Sequence, residues 1–396
     1  MRVDPFLEVN VPPHVRPALA FDDVLLVPQR TSLSSRREAD LSTVLVPGRL
    51  SLCLPIVSAN TPWCTETAMA VALGQAGGLG VIHRMQPVEQ QARMIHAVAD
   101  TPATSATATQ SPNGTLVAAA AVGVNKSYLD RTGRLVDSGA TVIVVDVAHG
   151  HSDQMVTALR AIRARHPDVV LIAGNVATPQ GYRDLADSGA DVIKVGIGPG
   201  SICTTREVAG AGVPQLTAVM DAAGARTPGG PTIIADGGIR SSGDMVKALA
   251  GGASAIMLGS MLAGVDESAA LLIEHEGRRY KTTTGFVTFG VELTIRRAEG
   301  GAVSEQELAD YVPEGIEATF PYRGPLDLVL RQYAGGLRSG LSYSGSADLG
   351  ELWSRAEFVQ ITSGGKSESR PHAVEGAPQV QGDFRDREPA VIGGSS

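Results

Sequence analysis

The chain lacks what a disulfide-stapled or zinc-held protein needs. Its 396 residues include three cysteines, Cys53, Cys64 and Cys203, too few and too scattered for a disulfide framework, and no ladder of Cys and His suggests zinc. It also lacks a basic excess. At a net charge of −8 no nucleic-acid surface is expected, although backbone donors and helix N-termini bind a small anion whatever the global charge. No apolar run is long enough to span a bilayer and Met1 opens no signal-peptide pattern, so no membrane partner is expected and the cytoplasm is the default. Finally, no Gly-x-Gly-x-x-Gly turn follows the first strand, which counts against an open dinucleotide-binding sheet.

What is present repeats. A short apolar run, a loop rich in Gly or Asn and an amphipathic helical stretch recur from Leu52 onward. The runs are Leu52–Ser58, Gly78–Ile82, Leu116–Val124, Thr141–Val147, Val169–Gly174, Asp191–Ile197, Thr232–Ala235 and Ala255–Leu258. Helical segments between them include Thr65–Gln75, Gln154–Arg165, Gln180–Ser188, Val213–Ala225 and Ser242–Ala250. Alternation of this kind makes a parallel sheet, and eight units predict a (β/α)8 TIM barrel with its site on the loops after the strands. The catalytic barrel is expected over 1–374. Within it, 97–115 is an exposed low-complexity connector and 275–320 a mobile flap after the eighth strand. Pro325–Thr362 reads as a closing helix and strand, and 375–396, poor in core formers, as a disordered tail.

The chemistry centres on Gly198-Pro-Gly-Ser-Ile-Cys-Thr-Thr-Arg206, which directly follows the sixth apolar run. An isolated Cys is most often a small buried hydrophobe. Set among glycines and hydroxyls at the end of a strand, Cys203 reads instead as a nucleophile, because neighbouring donors favour the thiolate. Other post-strand loops bring Asn60, His83, Arg84, Asn125, Asp146, His149, His151, Asn175, Asp236, Gly238, Gly259 and Ser260 to the same end. Any one of these is an ordinary loop residue, but a core needs no polar residue after nearly every strand. The loops after strands seven and eight commonly bind phosphate in barrels, and Asp236 is placed to accept from a ribose diol.

Gly198–Arg206, Ile234-Ala-Asp-Gly-Gly-Ile-Arg240, Met257–Gly264, Val312-Pro-Glu-Gly-Ile316 and Gly335-Gly-Leu-Arg-Ser339 resemble the IMP dehydrogenase/GMP reductase family, from about Leu19 to Val374. The resemblance implies a barrel, usually a homotetramer, acting on a purine nucleotide with NAD or NADP. Many relatives insert paired CBS domains where this chain has only Ala97–Thr115. By the same likeness Cys203 attacks purine C2, Thr205 assists and Glu314 faces the base. Ser201, Gly238, Gly259 and Ser260 hold the phosphate, with Thr283 and Gly285 contributed by the flap, and Asp236 holds the ribose. Asp146, Ala148, His149, Asn175, Gly196 and Gly198 fall on the nicotinamide side. Gly198, Gly200 and Cys203 match a potassium site completed by Glu368, Ser369 and Arg370 of a neighbouring subunit.

The direction of the reaction stays open at this level. Gly-Gly-Ile-Arg240, Leu-Gly-Ser260 and the stretches Arg355–Ile361 and Glu368–His372 are more similar to the dehydrogenase, as is the spacing from Gly285 to Glu314. The family's Asn-Met-Asp-Thr-Val is Asn60-Thr-Pro-Trp-Cys64 here, and its flap Tyr-Arg-Gly-Met-Gly-Ser is Thr283-Thr-Gly-Phe-Val-Thr288. The water-activating Arg-Tyr pair of the flap has no clean counterpart; Arg296-Arg297 lie a few places early with no Tyr beside them. Three readings therefore remain: oxidation of IMP or a close analogue, reductive deamination of GMP or a modified purine nucleotide with NADPH, and a non-catalytic nucleotide binder.

Overall fold

The computed structural model describes residues 15–125, 127–283, 296, 304 and 315–369. Eight parallel strands close into a barrel: β1 (Ile56–Ser58), β2 (Leu79–Ile82), β3 (Ala119–Val122), β4 (Val142–Asp146), β5 (Val170–Val176), β6 (Val192–Val195), β7 (Thr232–Asp236) and β8 (Ala255–Leu258). Strand β8 pairs with β1, Met257 beside Val57, so no edge is left open. The expected TIM barrel is therefore present. Helices cover it outside, α1 (Thr67–Gln75), α2 (Val88–Ala99), α3 (Tyr128–Asp137), α4 (Asp153–Arg165), α5 (Pro179–Asp187), α6 (Gln215–Gly224) and α7 (Ser242–Ala250), each following a strand in turn. Ser152, Thr178 and Ser241 accept from the backbone N–H groups of Met155, Gly181 and Asp244, which caps three of these helices.

The strands are buried on both faces, so their sequences run apolar without alternation. Alternation still decides which side chain points where. Val57, Val81, Ala121, Val144, Ile172, Val192, Ile234 and Met257 fill the interior, while Ile143, Leu171, Ile193 and Ile233 join the layer beneath the helices. Two residues further along their strands, Asp146, Lys194 and Asp236 keep the inward parity and form the top of the barrel. The bottom is plugged by a hairpin, Thr43–Val46 with Leu50–Leu52, whose Leu45, Val46, Leu50 and Leu52 enter the same interior cluster. The single apolar run read over 52–58 is thus two elements: Leu52 ends the plug and only Ile56–Ser58 is barrel strand.

Beyond β8 an antiparallel sheet forms from β9 (Leu271–His275), β10 (Arg278–Thr282) and β11 (Thr319–Pro321). It starts a few residues before the expected flap, and most of 284–314 lies outside the described residues. Helix α8 (Leu326–Tyr343) packs along α7, and Phe358–Gln360 pairs with Val24–Leu26, which joins the two ends of the described chain. The connector over 97–115 is not wholly exposed. Thr109 donates from its N–H to the Gly74 carbonyl at 2.8 Å, and both Ala108 and Thr109 are buried. The expected tail, 375–396, lies outside the described residues.

Candidate active site

The barrel mouth is organised by one ammonium. Lys194, only 2 % exposed, reaches Asp146 Oδ1 at 2.7 Å and Asp236 Oδ2 at 2.6 Å, and donates its third hydrogen to Asn175 Oδ1. Asn175 donates to Asp236 Oδ2 at 2.9 Å and to the Gly196 carbonyl at 2.6 Å, while Asn60 donates to Asp146 Oδ2 at 2.9 Å. Gly174 makes room: a Cβ there would stand 2.6 Å from the Lys194 Cβ. Burial pushes the Asp146 carboxyl up, but the charges of Lys194 and Arg84 and the bonds from Lys194 and Asn60 prevail and hold it below the usual carboxylate range. Burial likewise disfavours the Lys194 ammonium, and the two carboxylates reverse that and raise it above an ordinary lysine. No hydrogen bond among the described residues reaches Asp236 Oδ1.

The Cys203 loop lies beside this network. Cys203 is half-buried, its Sγ 3.1 Å from Thr205 Oγ1, and its N–H donates to Gly200 O at 3.2 Å. Arg206 closes the loop by donating to the Val213 carbonyl at 2.7 Å and to that of Ile197 at 3.3 Å. Gly237 stands against the loop, where a Cβ would meet Pro199 Cγ at 2.9 Å. The far end of the flap returns to the same place. Gly315 bridges Cys203 antiparallel, and the Ile316 N–H donates to Ile202 O at 2.9 Å. Glu314 and Gly285 lie outside the described residues.

The other expected site residues fall as follows. Ser201, Ala148 and His149 are exposed, while Gly196 is buried; Gly198, Gly200, Gly238, Gly259 and Ser260 are partly buried at the same mouth. His151 pairs with Asp184 at 2.7 Å. Trp63, from the divergent loop after β1, stacks on Phe320 of β11 with centroids 5.6 Å apart, and its ring would lie 3.1 Å from a Cβ at Gly259. Thr283 is placed differently from a surface contact: it is fully buried, and its hydroxyl accepts from the Ala318 N–H at 2.8 Å. Glu368 and Ser369 end a short helix, Ser363–Glu368, that docks through Lys366 on Asp22 at 2.8 Å; Ser369 donates back to Gly365 O, and Arg370 lies outside the described residues. Among the described residues no group of three or more His, Cys, Asp or Glu could hold a metal ion, and no helix is long and apolar enough to cross a membrane.

Lys194, which joins the carboxylates of Asp146 and Asp236, is not among the residues that the sequence singles out. Its signal was a lysine inside Val-Ile-Lys-Val, a strand buried on both faces, where a charge persists only with partners.

The three cysteines are set apart by burial. Burial pushes the Cys64 thiol up to about 12, against weaker opposing bonds from Thr65 and Ala59. At pH 8 it stays protonated and enclosed, so mass spectrometry after brief iodoacetamide treatment is expected to find Cys53 and Cys203 modified and Cys64 intact. Modification of Cys64 in the native protein would contradict its enclosure.

The fold and the site thus define a (β/α)8 barrel whose mouth joins a thiol loop to two carboxylates bridged by one buried lysine. The sequence profile described as IMP dehydrogenase / GMP reductase domain matches residues 18–372, and the chain belongs to that family, whose members are nicotinamide-dependent purine nucleotide oxidoreductases. The chain is 35% identical to the inosine-5'-monophosphate dehydrogenase of Nitrosopumilus maritimus, over 90% of its own length and 98% of that protein. It is 37% identical to the enzyme of the same name from Aquifex aeolicus, covering 93% and 98% respectively. Among solved structures, the GMP reductase C318A variant of Trypanosoma brucei in complex with guanosine 5'-monophosphate superposes with a TM-score of 0.85 at 31% identity, covering 91% of this chain and 99% of that one.

Proposed function

We propose that the protein oxidises IMP, or a close purine ribonucleotide, at C2 through a covalent bond to Cys203, with NAD as hydride acceptor. The observation that carries this reading is the Cys203–Thr205 contact of 3.1 Å in a loop that packs on the turn after Asp236. The curated relatives support the direction, since they bear the dehydrogenase name along nearly their whole length.

The residues fit the nucleotide and the cofactor. Among the described residues Asp236 keeps one carboxylate oxygen free for a ribose diol, and Asn175 and Lys194 fix its orientation. The turns at Ser201, Gly238 and Gly259–Ser260 present backbone groups to a phosphate, and the family likeness assigns Thr283 and Gly285 of the flap to the same ligand. Asp146, Ala148, His149, Asn175, Gly196 and Gly198 form the side assigned to the nicotinamide. When bound, the cofactor supplies a hydride acceptor; the chain supplies everything else. The Cys203 thiolate adds to C2 while Thr205 exchanges a proton beside it, and loss of the C2 hydrogen leaves a thioimidate on the sulfur. Water then displaces Cys203, with Glu314 the residue assigned to face the base. A potassium ion between the Cys203 loop and Glu368–Arg370 of a neighbouring subunit, in a homotetramer, belongs to the same reading.

Two observations favour a second reading. The superposed structure is a GMP reductase with its nucleotide, and the sequence lacks a clean Arg-Tyr pair for activating water. Reduction needs no such activation: the thiol would displace ammonia from an amino-substituted C2, and hydride, which a bound NADPH would supply, would add at C2 and expel the Cys203 thiolate. Separate incubations with IMP plus NAD+ and with GMP plus NADPH, followed at the nicotinamide absorbance, decide the matter. Absorbance gain in the first supports the dehydrogenase; loss in the second with ammonia release supports the reductase. Silence in both overturns the proposal for these nucleotides.

A further inference from the structure

We propose that Lys194 is a positioning residue: its single ammonium, shared by Asp146 and Asp236, allows two carboxylates that serve different ligands to stand side by side at one barrel mouth. The inference rests on the reading above, in which Asp236 takes the nucleotide ribose and Asp146 the nicotinamide side. Lys194 does not contact either ligand. All three of its N–H groups are committed, to Asp146 Oδ1, Asp236 Oδ2 and Asn175 Oδ1, and it is almost fully buried. Its work is electrostatic and geometric.

Each carboxylate lies within 2.7 Å of the same buried nitrogen, so the two are near neighbours at a partly buried barrel mouth. Like charges that close, without a cation between them, drive one carboxyl to take up a proton or turn away. The supports of the two acids are unequal. Asp146 has Asn60 on its other oxygen and the charge of Arg84 nearby. Asp236 has Asn175, on the same oxygen that Lys194 uses, and its backbone carbonyl accepts from Gln215 Nε2 at 3.1 Å. The Lys194 ammonium therefore removes a repulsion that exists only while both acids are present. This predicts a suppressor: once Asp146 is neutral, Asp236 no longer needs the lysine, because Asn175 still orients it.

The test uses the full-length protein and measures the dissociation constants of IMP and NAD+ by titration calorimetry. Lys194→Gln is expected to weaken both ligands by roughly thirtyfold or more, the usual consequence of stranding a buried charge. Lys194→Gln combined with Asp146→Asn is expected to bind IMP within about threefold of Asp146→Asn alone, at the scatter of ordinary non-coupled substitutions, while NAD+ binding stays weak. A lysine of merely structural value gives no such one-sided recovery. Should Lys194→Gln fail to fold, the comparison of the double variant with Asp146→Asn still decides the matter, since those two differ only at Lys194. The inference is overturned if the double variant binds IMP far more weakly than Asp146→Asn, or if Lys194→Gln leaves both affinities unchanged. Failure of the unaltered protein to bind IMP, GMP or any purine nucleotide instead removes the functional reading, and this inference with it.

Discussion

Cys203→Ala is expected to abolish turnover, lowering kcat by at least about 10⁴-fold, while the nucleotide dissociation constant changes by less than about threefold. The two halves follow from different parts of the structure. The thiol is half-exposed at the mouth, and its described side-chain contact is Thr205 Oγ1 at 3.1 Å, so its removal opens no core cavity. The groups assigned to the ribose and phosphate, Asp236 and the turns at Gly238 and Gly259, are held by Lys194, Asn175 and their own backbones, none of which needs the sulfur. Loop closure also survives, because Arg206 spans Ile197 and Val213 without it. Nothing else in the loop can form and break a bond to C2 at neutral pH: the hydroxyls of Ser201, Thr204 and Thr205 are far weaker nucleophiles than a thiolate. Rapid-mixing absorbance for turnover and calorimetry for binding make the comparison. Loss of binding together with turnover would show a structural thiol, and retained turnover would show that the chemistry does not pass through sulfur.

The barrel was legible because apolar strand runs and helical stretches alternate eight times, a pattern that few other architectures accommodate. What escaped were places where tertiary structure overrides local pattern. Leu52–Ser58 reads as one strand, yet Pro55 sits between the plug hairpin and β1, and proline cannot donate to a ladder. The 97–115 connector looks polar and exposed, but Ala108 and Thr109 settle under the first helix by backbone bonds that composition does not announce. At the site, the post-strand residues were readable one loop at a time. Lys194 was not, because its role depends on Asp146 and Asp236, 48 and 42 positions away, sharing its inward parity around a closed barrel. Trp63 is similar: in sequence it only marks a divergent loop, and its stacking on Phe320 and nearness to Gly259 emerge when β1 meets β8 and the flap sheet.

Gly196→Ala is expected to destabilise the protein by about 3–5 kcal/mol, near the upper end for single substitutions, and to weaken nucleotide binding with it. Gly196 directly follows β6 with φ at +149°, a conformation that side-chain-bearing residues rarely adopt. A Cβ there would lie 2.0 Å from the Asp236 carbonyl oxygen and 3.0 Å from Gln215 Nε2. The first atom is backbone at the end of β7 and cannot swing aside as a side chain does. Gly196 is also bonded on its other sides, its N–H to Val176 O at 2.9 Å and its carbonyl to Asn175 Nδ2 at 2.6 Å. Relief therefore requires the ends of β6 and β7 to part, which breaks the Gln215 bond to Asp236 O and displaces the Asp236 carboxylate from Lys194 and Asn175. Gly229→Ala is the control. It too has positive φ, +75°, but a Cβ there meets nothing within 4 Å, so only the backbone penalty of about 1 kcal/mol applies. Denaturant midpoints give the stability of both variants and calorimetry the affinity. Equal losses at the two glycines would mean that the strand ends yield more easily than their bonds imply, and that Asp236 is not held by the approach of β6.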